Sequence, residues 1–172
     1  KNNILDVHWM YSIGMKLATA HFPKRKIDNL TLFFSYTLAA VIIVMVVSQL
    51  MTIEKLLPIM ESYQLPGGSP SAKIVIFLSA TAGVFSLPFL MRMSLSPLFR
   101  IFSALLLNMY AITWFGLGLW IAVNDPPLIG TGIFGGLLKS IPGEVVLPFA
   151  CILLVSTISV TWLLRSDLKL AR

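Results

Sequence analysis

The side chains of this sequence that are equipped for chemistry are few and do not cluster. Cys151 is the only cysteine, so no CxxC pair and no self-contained dithiol cycle can form. A lone cysteine in an apolar run usually serves as a small packing residue. His8 and His21 have no second pair of ligands beside them, so neither a metal nor a haem site is expected. No serine sits in a nucleophile-elbow pattern. The glycine-rich "GTGIFGG" at 130–136 lacks the Lys-Ser/Thr ending and the preceding strand of a phosphate-binding loop. The residue types therefore give no catalytic and no metal-binding side chain.

The polar residues inside the uncharged stretches are more informative. An ionisable group in a membrane span is a functional site by default, and the four uncharged runs of this chain contain none. That weighs against proton or ion coupling by the chain alone. Weakly polar groups remain: Ser79, Thr81, Ser86, Asn108, Thr113, Ser156, Thr157, Ser159 and Thr161. Asn108 is the most polar of them, suited to hydrogen bonding between helices or to contact with a ligand. Ser79 and Gly83, like Ala82 and Ser86, are four apart, the small-residue spacing that lets helices approach closely.

These residues need long apolar elements to hold them. The chain is 57% hydrophobic and 12% charged, with mean hydropathy +0.88; soluble domains carry roughly 25% charged residues. The excess is gathered into uncharged runs at 29–53, 74–91, 101–124 and 145–164. Helices of that length cross a bilayer, whereas barrel strands are about ten residues long and alternate. The expected fold is an all-α, integral membrane four-helix bundle forming one domain over 1–172, with spans at about 29–53, 71–91, 97–124 and 144–165. "GSP" (68–70) and "LSP" (95–97) offer Ser69 and Ser96 as N-caps with Pro70 and Pro97 behind them. Glu144 is expected to open the fourth helix and Arg92 to close the second. "NDPP" (124–127) stops the third, Pro58 is expected to bend or restart its segment, and Pro88 and Pro148 to kink their helices.

Charge sets the expected orientation. With four spans, ten Lys or Arg share one side (1, 16, 24, 25, 26, 92, 100, 165, 169, 172), against Lys55, Lys73 and Lys139 on the other. The positive-inside rule places both termini in the cytoplasm of a bacterial-type cytoplasmic (inner) membrane. The net charge of +6 is then a topology signal that also favours anionic lipid, and no nucleic-acid partner is expected.

Three segments lie outside the spans. Residues 1–26 carry Trp9, Met10 and Tyr11 before "PKRK" (23–26), as a cytoplasmic interfacial helix would. In "IEKLLPIMESYQLPGG" (53–68), Ile53, Leu56, Leu57, Met60 and Tyr63 fall at helical spacing, an amphipathic segment on the outer face. The apolar, glycine-rich loop 126–143 lies on the same side, along the interface or dipping between helices. Leu57, Met60 and Tyr63 of one, with Ile129, Ile133 and Phe134 of the other, are expected to present an outer platform to a partner.

The order of a first span into "SQLMTIEKLLPIMESYQLPGG", a second span, the turn "RMSLSPLFR" and a third span resembles the DoxX-like group of small four-helix membrane proteins, including its MauE-type branch, over about residues 30–120. In that pattern a Lys-containing amphipathic segment leads to a Tyr/Phe-x-Leu-Pro turn; Lys55, Tyr63, Leu65 and Pro66 occupy those places. Many members have an acidic residue in the second helix, where this chain reads "FLSATAGVFSLPF". The resemblance implies an accessory subunit or a quinone-linked or maturation protein of a membrane redox system. The functional expectation is a non-catalytic accessory subunit, respiratory or redox, with membrane lipids and other integral membrane subunits as partners. A quinone-linked protein and a small oligomeric transporter are the alternatives. No cofactor is expected of the chain itself; bound lipid or quinone is compatible with it.

Overall fold

A computed structural model describes residues 29–93, 96–128, 130–135 and 145–164. The interfacial segment 1–26, both histidines, Ile129 and Glu144 lie outside the described residues. Five helices follow one another: α1 Asn29–Met51, α2 Ile53–Ser62, α3 Ser69–Leu90, α4 Pro97–Asn124 and α5 Val146–Leu163. There is no strand among the described residues. All but the short α2 are long and apolar enough to cross a membrane.

The burial pattern is that of a bundle built for lipid. On α1 the inward face carries Thr31, Ser35, Ser48 and Gln49 among Leu38, Ile42, Met45 and Val46. Its outward face is Leu30, Phe33, Phe34, Val44, Val47 and Leu50. Most polar side chains of the helix thus point in, and its outward face is dominated by large apolar ones. Elsewhere Phe77 is 74% and Trp162 68% exposed. Water would penalise so large an apolar surface, whereas lipid does not. Packing runs in a ring: α1 on α3, α3 on α4, α4 on α5, with α5 touching α1 more sparingly. Ser35 Oγ donates to the Leu90 carbonyl at 2.6 Å, tying the start of α1 to the end of α3.

Local chemistry fixes the ends. Ser96 caps α4, its hydroxyl accepting from Phe99 N, with Pro97 behind it. Asn124 ends α4, and Asp125 follows in the left-handed region. The start of α3 differs from expectation. Gly68 is the N-cap, Ser69 is already helical and makes no capping bond, because glycine supplies the φ of +64° needed there. Arg92 lies past the end of α3 in the left-handed region rather than in its last turn.

The interruption after α1 does not fall at a proline. The break between α1 and α2 falls at Thr52 (φ −119°, ψ 28°), whose hydroxyl donates to the Ser48 carbonyl at 2.7 Å; α2 then runs through Pro58 without a stop. Pro148 is in the first turn of α5, where a missing N–H removes no helical bond.

Candidate functional site

One group of buried polar side chains gathers where the end of α1, the segment α2 and the loop 130–135 meet. Gln49 is the centre. It is 2% exposed, its Nε2 donates to the Ile133 carbonyl at 2.9 Å, and its Oε1 receives a long 3.4 Å contact from Ser79 Oγ of α3. Tyr63, at the end of α2, donates its phenol hydrogen to the Thr131 carbonyl. Burial holds that phenol protonated, well above its ordinary pKa. Trp120 of α4 donates to the Tyr63 carbonyl at 2.9 Å. The loop is therefore held by its own carbonyls, which accept from side chains of α1 and α2.

Two glycines allow this. A Cβ on Gly132 would stand 3.3 Å from Leu56 Cδ1, and one on Gly135 would stand 2.7 Å from the Ser48 carbonyl oxygen. Both glycines are left-handed, at φ +63° and +61°. Only a bare backbone in that conformation fits against the α1–α2 junction.

This geometry corrects the expected platform. The two segments do meet, but their apolar faces are turned on each other. Met60, Tyr63 and Ile133 are fully buried, and Leu57 and Phe134 are half-buried. Phe134 stacks edge-on against Phe149 of α5, centroids 5.9 Å apart. The physical reason is that the loop itself supplies the apolar cover for the segment. Ile53, assigned by its spacing to the same stripe, is exposed instead.

The second polar group lies deeper. Tyr110 and Trp114 of α4 are 0% and 1% exposed. The Tyr110 hydroxyl faces the Gln49 amide and the Trp114 indole, yet Tyr110 Oη and Trp114 Nε1 form no hydrogen bond. Gly83 is the close-packing residue beside them: a Cβ there would overlap Val46 Cγ2 and stand 3.2 Å from Tyr110 Cε2. Ser79 and Ser86 are buried on the same helix, and Ser86 is satisfied by the Gly83 carbonyl at 2.7 Å.

Asn108 lies apart from this group. Its Nδ2 donates to the Ala104 carbonyl at 2.8 Å and to Thr161 Oγ1 at 3.2 Å, joining α4 to α5. Asn108→Leu should therefore lower bundle stability by about 1 kcal/mol or less, the usual scale for interhelical hydrogen bonds in membranes. Unfolding in detergent micelles measures it. A variant that assembles normally but abolishes the activity of the assembly would show that Asn108 meets a ligand instead.

No three His, Cys, Asp or Glu side chains come together among the described residues, and Cys151 is free on α5. The polar groups of these two buried clusters are neutral amide, phenol, indole and hydroxyl. Gln49 is missed by a search for ionisable groups, although an amide a few residues from the end of an uncharged run is a readable signal. Architecture defines the class: a helical bundle with four helices apolar enough to cross a membrane, hence a multi-pass membrane protein. No family model, curated protein or solved structure matches the chain.

Proposed function

We propose that the protein is a non-catalytic accessory subunit of a larger membrane assembly, of respiratory or redox type, that contributes by seating a transmembrane helix of another subunit. The observation that carries this reading is the open seam between α1 and α5. It forms a groove of about 450 Å³ bounded by Phe34, Leu38, Ile152 and Leu163, with the hydroxyls of Thr37, Ser156 and Ser159 along it. Among the described residues these three hydroxyls have no hydrogen-bond partner. An acyl chain offers them no acceptor, whereas a helix bearing polar side chains does. The ten-to-three distribution of Lys and Arg supports both termini being cytoplasmic in a bacterial-type inner membrane.

The test is purification in mild detergent with a photo-cross-linker at Ser159, beside a Ser159→Trp variant that fills the groove. We expect one subunit to co-purify in fixed ratio and cross-link at Ser159, and Ser159→Trp to release it while membrane insertion persists. A wild-type chain that runs alone, or a variant that keeps the same partner, overturns the reading.

One observation favours a second reading, the DoxX/MauE-like protein with quinone-linked or maturation activity. Tyr110 and Trp114 hold unpaired donors in the bundle interior, and a quinone carbonyl is a neutral acceptor of suitable chemistry. The α1–α5 groove has no part in that reading, so Ser159→Trp would leave it untouched.

A further inference from the structure

A second groove lies where the end of α1, α2 and the start of α3 converge. It encloses about 360 Å³ and is lined by Leu50, Ile53, Ile76 and Phe77, with Glu54 and Lys73 also on its wall. The charged pair is placed by the helix starts: Glu54 in the first turn of α2, Lys73 in the second turn of α3. Both are exposed, and among the described residues neither is held in an ion pair. The apolar wall continues down α3 from Lys73 through Ile76 and Phe77 toward the middle of the span.

We infer that this groove is a binding site for one phospholipid of the phosphoethanolamine type. The depth profile fits: charge lies at the end of a span, where headgroups lie, and apolar side chains lie below it, where an acyl chain runs. The rim carries one cation and one anion, which matches a headgroup bearing a phosphate and an ammonium. Lys73 takes the phosphate and Glu54 takes the ammonium. An anionic phosphoglycerol headgroup leaves Glu54 without a cation and places like charge near it. A quaternary choline has no N–H to donate to the carboxylate. Neither Glu54 nor Lys73 takes part in the α1–α5 groove, so the inference stands apart from the subunit reading.

The test is native mass spectrometry of the full-length purified chain in detergent, offered equal amounts of phosphatidylethanolamine, phosphatidylglycerol and phosphatidylcholine. Phosphatidylethanolamine should be retained best. Exposed charge pairs are weak, so Glu54→Gln should reduce its lead over phosphatidylglycerol by roughly threefold to fivefold. Lys73→Gln should lower retention of both. Because both side chains are exposed, the melting temperature should stay put. Exchanging the charges, Glu54→Lys with Lys73→Glu, keeps one of each on the rim and should restore the preference. Equal retention of the three lipids by the wild-type chain, or single variants indistinguishable from it, overturns the inference.

Discussion

Gly83→Leu should collapse the packing of α1, α3 and α4, at a cost of about 3 kcal/mol or more, beyond the usual range for an overfilled core. The site has no slack. A single Cβ already overlaps Val46 and stands 3.2 Å from the Tyr110 ring, and Tyr110 cannot retreat because it is fully buried. Leucine adds three more carbons in the same place. The measurement is thermal unfolding in detergent micelles, with the aggregated fraction read by gel filtration. Gly116→Leu is the control on the neighbouring helix. A Cβ at Gly116 meets nothing within 4 Å, so that variant should be neutral, or gain up to about 1 kcal/mol by removing a mid-helix glycine. If the two variants melt alike, the close approach at Gly83 is wrong.

Gly135→Val should have a comparable effect on one end of the molecule and spare the rest. Valine in the left-handed region is a conformational outlier, costing about 1–2 kcal/mol. Its Cβ would also press on the Ser48 carbonyl at 2.7 Å and on Thr52, and those atoms belong to a helix end that cannot move aside. The loop must lift. It then loses the bond from Gln49 to the Ile133 carbonyl and the bond from Tyr63 to the Thr131 carbonyl; each buried group left unpaired costs about 1–3 kcal/mol. Hydrogen exchange and limited proteolysis should rise at 130–135 while the long helices stay protected. Gly68→Ala separates the two causes. Gly68 shares the positive φ (+64°) but has open space around it, so its change should show the backbone cost alone. A loop that stays protected in Gly135→Val would sink the account.

Much of the fold was legible because lipid imposes it. A run such as 101–124, closed by Arg100 and Asp125, has few ways to satisfy its backbone in a bilayer other than as a helix. "LSP" at 95–97 marked the start of α4 because serine and proline each suit one capping position. The candidate site was less legible. Met60, Tyr63 and Ile133 were placed outward because an apolar stripe at an interface reads the same whether lipid, a partner or the chain's own loop covers it. Only the fold brings Ile133 to Gln49, 84 residues earlier. Thr52 gave little warning of the break it makes, since its effect depends on a hydroxyl bonding back to Ser48. Pro58, the more obvious breaker, is accommodated within α2.

The Gln49–Ile133 bond also has a meaning in time. The ribosome delivers Gln49 first and Ile133 84 residues later, which at about 5–20 residues per second is an interval of roughly 4 to 17 seconds. Through that interval α1 is complete but its amide has no carbonyl to hold, and Leu56, Met60 and Tyr63 of α2 have no loop above them. Two further long helices must be made before either is satisfied. The nascent chain must therefore be sheltered at this one end, by the insertion machinery or by the headgroup layer. That shelter is needed until Gly132 and Gly135 arrive, and α5 must still follow them, so closing the loop is a late stitch of assembly rather than an early one.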